Sequence, residues 1–282
     1  MKEKFKGLGP ILDYLFEKRG FDFSGYHRAM LERRIGRRLT ATACKDFGEY
    51  LSCLRENTDE LDHLIDVITI NVSRFFRDTL TFELIADRIL PAVIREKTQA
   101  RDHSLRVWSA GCARGEEPYS LAILIDELLR KEEVAIDLHL FATDIDCGAL
   151  ADAGRALYPL GSVENIKHRL LKKYFTPEGA SFRLLPEIRD LVTFSLYDML
   201  DKKRAVPPES VFGNFDLVLC RNLLIYFNTE YQEMIFERLH HSLANHGYLV
   251  LGEAEAPTMT YQRHFIRFFE FGPIYRKRLG GK

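Results

Sequence analysis

Apolar residues recur at helical spacing through the first third of the chain. Ile11, Leu12, Leu15 and Phe16 form one run, Leu61, Leu64, Ile65 and Ile68 a second. A third, Phe82, Ile85 and Ile89, is expected to end at Pro91. No strand pattern precedes the polar stretch QARDHS (99–104), which reads as a linker. Residues 1–98 are therefore predicted to form an all-helical domain.

The pattern then changes. LRVWSA (105–110) predicts a strand, followed by a glycine-containing loop and a helix through Arg130. DLHLFATD (137–144) and LVTFSL (191–196) predict two more strands. FDLVLC (215–220) is almost continuously apolar, as expected of a strand buried on both faces. A helix is expected at about 229–245 with Gly247 as its C-terminal cap, then a strand at 248–254 and a last edge strand within 265–278. Strands alternating with helices predict an α/β, doubly wound parallel sheet over 99–282.

Composition narrows the function classes. The 282 residues carry a net charge of −1, which argues against a general nucleic-acid binder. No stretch approaches the ~20 apolar residues of a membrane span. The charged start MKEKFKGLGP does not read as a signal peptide. The five cysteines, Cys44, Cys53, Cys112, Cys147 and Cys220, are scattered without a CxxC pair, so neither a disulfide framework nor a metal site is expected.

Four segments carry candidate chemistry. VWSAGCARGEEPYSLAIL (107–124) runs from strand through Gly111 and Gly115 into a helix. It lacks the dinucleotide G-x-G-x-x-G pattern. Glu116 and Glu117 at the helix start would repel a pyrophosphate and suit a cation or ribose hydroxyls; equally, they complement the helix dipole. Asp144 ends the second strand, where an acid commonly binds ribose, with Asp146 as competing acid or helix cap. CRNLLIYF (220–227) places Arg221, Asn222 and Tyr226 beyond the buried strand; an ion pair and a packed aromatic explain the first and last equally well. In INVSRFFRD (70–78), Phe75 and Phe76 lie between Arg74 and Arg77, which also suits a helix junction with both rings in the core.

Together these strings resemble the chemotaxis receptor methyltransferase (CheR) family from about residue 8 to 276. The resemblance rests on INVSRFFRD, VWSAGCARGEEPYSLA, FATDID, FSLYDML and FDLVLCRNLLIYFN in the family's order. It implies a Rossmann-like class I methyltransferase domain with a small all-helical N-terminal domain and a short β insertion, at about 158–192. It implies S-adenosylmethionine as cofactor, S-adenosylhomocysteine as product, and methylation of glutamate side chains on chemoreceptors. By the resemblance, Asn71, Ser73, Arg77, Gly111, Glu117, Asp144, Asp198, Met199, Arg221 and Asn222 are cofactor positions, with Glu116 beside them. Ser73 stands where Thr is frequent and Asp198 where Asn often occurs. Arg77 and Tyr226 match the residues that organise catalysis.

A glutamate carboxylate is already ionised at pH 7, with a pKa of about 4.3, so methyl transfer to it needs no general base. The enzyme's task is positioning, which can supply ~7–11 kcal/mol. In YHRAMLERRIGRRL (26–39), Arg33, Arg34, Arg37 and Arg38 fall within about 140° of helical arc. They are expected to form a basic stripe, which is either a solvated charged face or, as the resemblance implies, a dock for the cytoplasmic helical domain of the receptor. KYFTPEGASFRLLPEIRD (173–190) looks short, without a glycine-rich hairpin turn, for gripping a receptor C-terminal pentapeptide, so a member independent of that tether is expected. A cytoplasmic monomer without nucleic-acid partner or membrane insertion completes the expectation. The rivals are a methyltransferase of this fold with another substrate, a dinucleotide oxidoreductase and a non-catalytic cofactor sensor.

Overall fold

The computed structural model describes residues 7–69, 71–201 and 203–279. The first six residues of MKEKFKGLGP, and Ile70 of INVSRFFRD, lie outside the described residues. Contacts cluster the chain into two units: Met1–Asn71 with Ile225–Gln232, and Val72–Leu224 with Glu233–Lys282.

The first unit contains α1 (Leu8–Arg19), α2 (Arg28–Ala41), α3 (Phe47–Glu56) and α4 (Thr58–Thr69). Local chemistry sets their ends. Gly20 takes a left-handed φ of 75° to close α1. The Asp46 carboxylate caps α3 by accepting the Glu49 N–H. Their apolar stripes, among them Ile11, Leu15, Leu31, Ile35, Tyr50, Leu64 and Ile68, are buried. The segment Ile225–Gln232, distant in sequence, joins this unit through an antiparallel bridge between Tyr26 and Phe227. The His27 N–H donates to the Tyr226 carbonyl at 2.9 Å, and the Asn228 N–H to Gly25 at 2.9 Å. Gly25 permits the approach: a Cβ there would lie 2.4 Å from the Tyr231 ring.

The second unit is built on strands β1 (Ser104–Ala110), β2 (Asp137–Asp144), β3 (Leu157–Pro159), β4 (Phe175–Glu178), β5 (Ser181–Leu184), β6 (Val192–Leu196), β7 (Phe215–Cys220), β8 (Leu243–Leu251), β9 (Phe265–Arg267) and β10 (Ile274–Lys277). Seven form a sheet in the order β6-β2-β1-β7-β8-β10-β9. Its first five strands are parallel, whereas β10 and β9 add antiparallel. Every residue of β7 is buried, as its apolar run predicts. The connections from β1 run to β2 and β6 on one side, and the chain then returns to β7 on the other. The switch point thus lies between β1 and β7, where ligands of open α/β sheets bind at the carboxyl ends of strands.

Three expectations require correction. First, residues 72–98 belong with the sheet, not with the N-terminal helices. Phe75, Phe82, Ile85, Ile89 and Leu90 share a core with Val107, Leu121 and Leu217. Second, Pro91 does not end its helix. α5 (Thr79–Leu84) passes through a π-helical turn, Ile85–Ile89, into α6 (Leu90–Ala100), with Pro91 in the first turn. Proline is tolerated there because its missing N–H falls among the first-turn groups. Third, Gly247 caps no helix, since the preceding helix ends at Ser242 and Gly247 lies within β8. A Cβ at Gly247 would meet the Phe215 carbonyl at 2.7 Å, beside a register shift in the β7–β8 pairing. The expected short β insertion is present within about 158–192, as a tight hairpin joined by a third strand. β4 pairs with β5 around Gly179 at φ 61°, and β3 completes a separate three-stranded sheet.

The helix His168–Tyr174, which leads into β4, is tied to α7 (Glu116–Glu132) by charge. Burial disfavours ionisation of Glu127, but Lys173, the Tyr174 hydroxyl and Arg169 outweigh it and hold the carboxyl at about 2. A depressed carboxyl pKa stabilises the fold above the unfolded value of about 4.3 and loses that contribution as pH falls toward 2. Glu127→Gln is therefore expected to be less stable near neutrality and to lose less stability between about pH 5 and 2. Urea midpoints measured across that range check it.

Candidate active site

The loop after β1 is shaped by β2. The Gly111 and Cys112 N–H groups both donate to the Thr143 carbonyl, at 2.8 and 2.9 Å. Gly111 adopts φ 73°, and a Cβ there would press against Leu223 at 3.0 Å, so glycine meets both a conformational and a spatial requirement. The Asp144 carboxylate accepts N–H groups from Ala113 at 2.7 Å and Asp146 at 3.0 Å. Burial pushes its carboxyl above the usual aspartate range, against the pull of these donors. Asp146 is the cap of α8 (Cys147–Arg155), accepting from Gly148 and Ala149. Asp144 thus braces the loop and Asp146 caps its helix.

Glu116 and Glu117 point apart. The Glu117 carboxylate accepts the Ser109 hydroxyl at 2.8 Å and Arg221 Nη1 at 3.0 Å, which places it between the ends of β1 and β7. Glu116 is buried toward Ser162; burial raises its pKa, and its Oε2 has no hydrogen-bond partner.

Arg221 is the hub of the unit's site. Its side chain is 1% exposed and lies over the Phe82 ring. Besides Glu117, it donates through Nη2 to the Asp78 carboxylate at 2.7 Å and the Arg77 carbonyl at 2.9 Å. Phe76 and Asp78 both take positive φ, 52° and 58°, so the turn carrying Arg77 is strained and Arg221 clamps it. Phe75 and Phe76 are core residues, as the junction reading of INVSRFFRD expects. Phe75 packs edge-on against Tyr158 and Phe175. Arg77 remains partly exposed, its guanidinium donating to the Val72 carbonyl at 3.3 Å.

Asn222 follows with φ 56°. Its N–H donates to Glu255 at 2.9 Å, as does the Gly252 N–H at 2.7 Å. Glu255 and Asp78 are two carboxylates that the sequence reading passed over. Neither carries a motif signal of its own: Asp78 closes the turn after Arg77, and Glu255 lies just past the predicted end of a strand. Asp198 accepts the Leu200 N–H at 2.8 Å, and Met199 is buried beside it. Ser73 is half-buried in the same unit.

Asn71 and Tyr226 belong to the helical unit. Asn71 donates to the Thr69 hydroxyl at 3.4 Å. Tyr226 is half-buried, with the Arg34 guanidinium 5.3 Å from its ring centroid. The expected basic stripe of α2 also needs correction. Arg33 and Arg37 are exposed, but Arg34 is buried and donates to the Val67 and Ile68 carbonyls. Arg38 forks onto Glu60, which also accepts the Tyr50 hydroxyl. On the helical wheel Arg34 and Arg38 sit at about 100° and 140° from Arg33, adjoining Leu31 and Ile35, so they turn inward.

The donor set of the second unit fits an adenosine cofactor bearing a sulfonium. Glu117 and Asp144 supply negative charge for a cation and acceptors for ribose hydroxyls. The buried Arg221 Nε, without a partner, leaves one donor for a carboxylate. Among the described residues no group of His, Cys, Asp and Glu is arranged to hold a metal, and no helix is long and apolar enough to cross a membrane.

Comparison with known proteins gives a consistent picture. A family model described as CheR methyltransferase, SAM binding domain, matches residues 71–269. A second, the CheR methyltransferase all-alpha domain, matches residues 7–69. A chemotaxis protein methyltransferase of Salmonella typhimurium is 33% identical over 251 residues, covering 87% of this chain and 82% of that protein. Chemotaxis protein methyltransferase 1 of Pseudomonas aeruginosa is 32% identical over 254 residues, covering 88% and 89%. An uncharacterized 104.1 kDa protein of Rhodobacter capsulatus is 33% identical over 90% of this chain, which spans 26% of that longer protein.

Proposed function

Since the chain belongs to the CheR methyltransferase family, we propose that it transfers methyl groups from S-adenosylmethionine to glutamate carboxylates on the cytoplasmic helices of chemoreceptors. The observation that carries this reading is the pairing of Glu117 and Asp144 around the Gly111 turn at the carboxyl ends of β1 and β2. Such a set favours a cationic nucleoside over a phosphate-bearing one, which weighs against a dinucleotide oxidoreductase.

The bound cofactor supplies an electrophilic methyl group on a positively charged sulfur. The chain's own residues do the rest. Asp144 accepts ribose hydroxyls, Glu117 faces the cationic end, and Arg221 and Asn222 hold the surrounding turns. Asn71, Ser73, Asp198 and Met199 complete the cofactor set by analogy with the family. Arg77 holds one substrate carboxylate oxygen so that the other attacks, and Tyr226 hydrogen-bonds to the reacting groups. The exposed Arg33 and Arg37 dock an acidic receptor helix. We further propose that the enzyme works in the cytoplasm as a monomer and without a receptor pentapeptide, its β3–β5–β4 sheet consisting of strands of only three or four residues.

The test uses methyl-labelled S-adenosylmethionine and a receptor cytoplasmic fragment. Label is expected on the fragment and lost when its acceptor glutamates are changed to glutamine. Label that persists on the glutamine form, or none with cofactor bound, contradicts the reading. Asp144→Ala is expected to weaken cofactor binding by about 10–100-fold, the loss of a charged hydrogen-bond partner worth ~1.5–3 kcal/mol. Calorimetry with S-adenosylhomocysteine measures it.

A further inference from the structure

We infer that Arg34 is a positioning residue for Tyr226, so that the inner face of α2 serves catalysis while its outer face serves docking. The inference rests on the proposed role of Tyr226 and adds to it a residue that touches neither cofactor nor substrate.

The observations all lie within the first unit. Arg34 is 6% exposed, so it is not available to a docking partner. Its Nη1 donates to the Ile68 carbonyl at 2.6 Å and the Val67 carbonyl at 3.2 Å. Those carbonyls belong to the last turn of α4, where a helix leaves carbonyls without intrahelical partners and favours a cation. Anchored there, the guanidinium stands 5.3 Å from the Tyr226 ring centroid. A planar cation against an aromatic face restricts the ring and leaves the hydroxyl edge free.

The backbone of the same segment is fixed separately. The His27 N–H holds the Tyr226 carbonyl, and Tyr26 packs against Phe227 with ring centroids 4.6 Å apart. These contacts place the main chain of Tyr226, and Arg34 restricts the direction of its side chain. Arg33, the next residue, is exposed. Adjacent arginines on one helix therefore divide two tasks that a sequence pattern merges into one basic stripe.

The test is a double-mutant cycle read in steady-state kinetics with S-adenosylmethionine and a receptor cytoplasmic fragment. Arg34→Ala is expected to lower kcat about 10–100-fold with KM for the fragment changed less than about threefold. Arg33→Ala is expected to do the reverse, raising KM with kcat preserved. Arg34→Lys, which keeps the charge but not the planar face, recovers part of kcat and serves the cycle if the alanine variant does not fold. In a Tyr226→Phe background, either Arg34 substitution is expected to cost little more. An undiminished loss in that background assigns Arg34 a purely scaffolding role and overturns the inference while sparing Tyr226. A raised KM at unchanged kcat overturns it in favour of docking. A full wild-type rate for Tyr226→Phe alone removes Tyr226 from catalysis and the inference with it.

Discussion

Replacing Arg77 with alanine lowers kcat for methyl transfer by about 10²–10³-fold, the effect of removing one donor aimed at a reacting oxygen. The fold survives the change. The guanidinium is partly exposed and returns to the Val72 carbonyl within its own turn. Stability is expected to move by less than about 0.5 kcal/mol, as for ordinary surface substitutions. The turn keeps its shape because its clamp acts on the Arg77 main-chain carbonyl and on Asp78, not on the Arg77 side chain. Steady-state kinetics beside a denaturation curve separate the two effects. A wild-type rate would remove Arg77 from the catalytic account, and a large loss of stability would make it structural.

Arg221→Leu produces the opposite pattern, a large stability loss of about 3–5 kcal/mol. The arginine is the shared cation of Asp78 and Glu117, at a position with 1% side-chain exposure, and leaves the triad with net negative charge. Truncating it leaves Glu117 buried without its cation and releases the strained turn at Phe76–Asp78. Urea unfolding gives the stability change. Cofactor affinity is expected to fall as well, because Glu117 loses the partner that orients it. A change below about 1 kcal/mol would mean that Arg221 does not clamp the turn.

The sheet was legible in the sequence because its parallel strands are short apolar runs bounded by polar turns, with β1, β2, β6 and β7 starting or ending within about one residue of expectation. What periodicity lacks is information about which core a helix enters. The run Phe82, Ile85 and Ile89 reads as helix and is helix, yet these side chains pack under the sheet and not with α1–α4. The membership of Tyr226 in the helical unit is likewise non-local, resting on a bridge between residues 201 positions apart, Tyr26 and Phe227. Pro91 and Gly247 misled for the converse reason: each is a strong local signal that tertiary structure reuses, one in the first turn after a π-helical segment and one at a strand irregularity.

The candidate site was legible as a set of strings but not as a division of labour. Glu116 and Glu117 are neighbours in sequence and diverge in space, one toward Ser162 and the other toward Ser109 and Arg221. Arg33 and Arg34 repeat the lesson on α2. In each pair a rotation of about 100° along a helix decides whether a charge meets solvent or the interior. Glu255 shows the limit of motif reading, since its role is to accept two main-chain N–H groups and no side-chain pattern announces that.

The central claim is that the acceptor is a carboxylate, and the chemical stability of the product tests it most directly. A receptor fragment labelled by this enzyme with methyl-labelled S-adenosylmethionine is brought to mildly alkaline pH, and volatile label is collected. A methyl ester of glutamate releases its label as methanol, and that release is the predicted result. Label that stays on the fragment through the base treatment marks a methyl group on nitrogen, sulfur or an ether oxygen and contradicts the account.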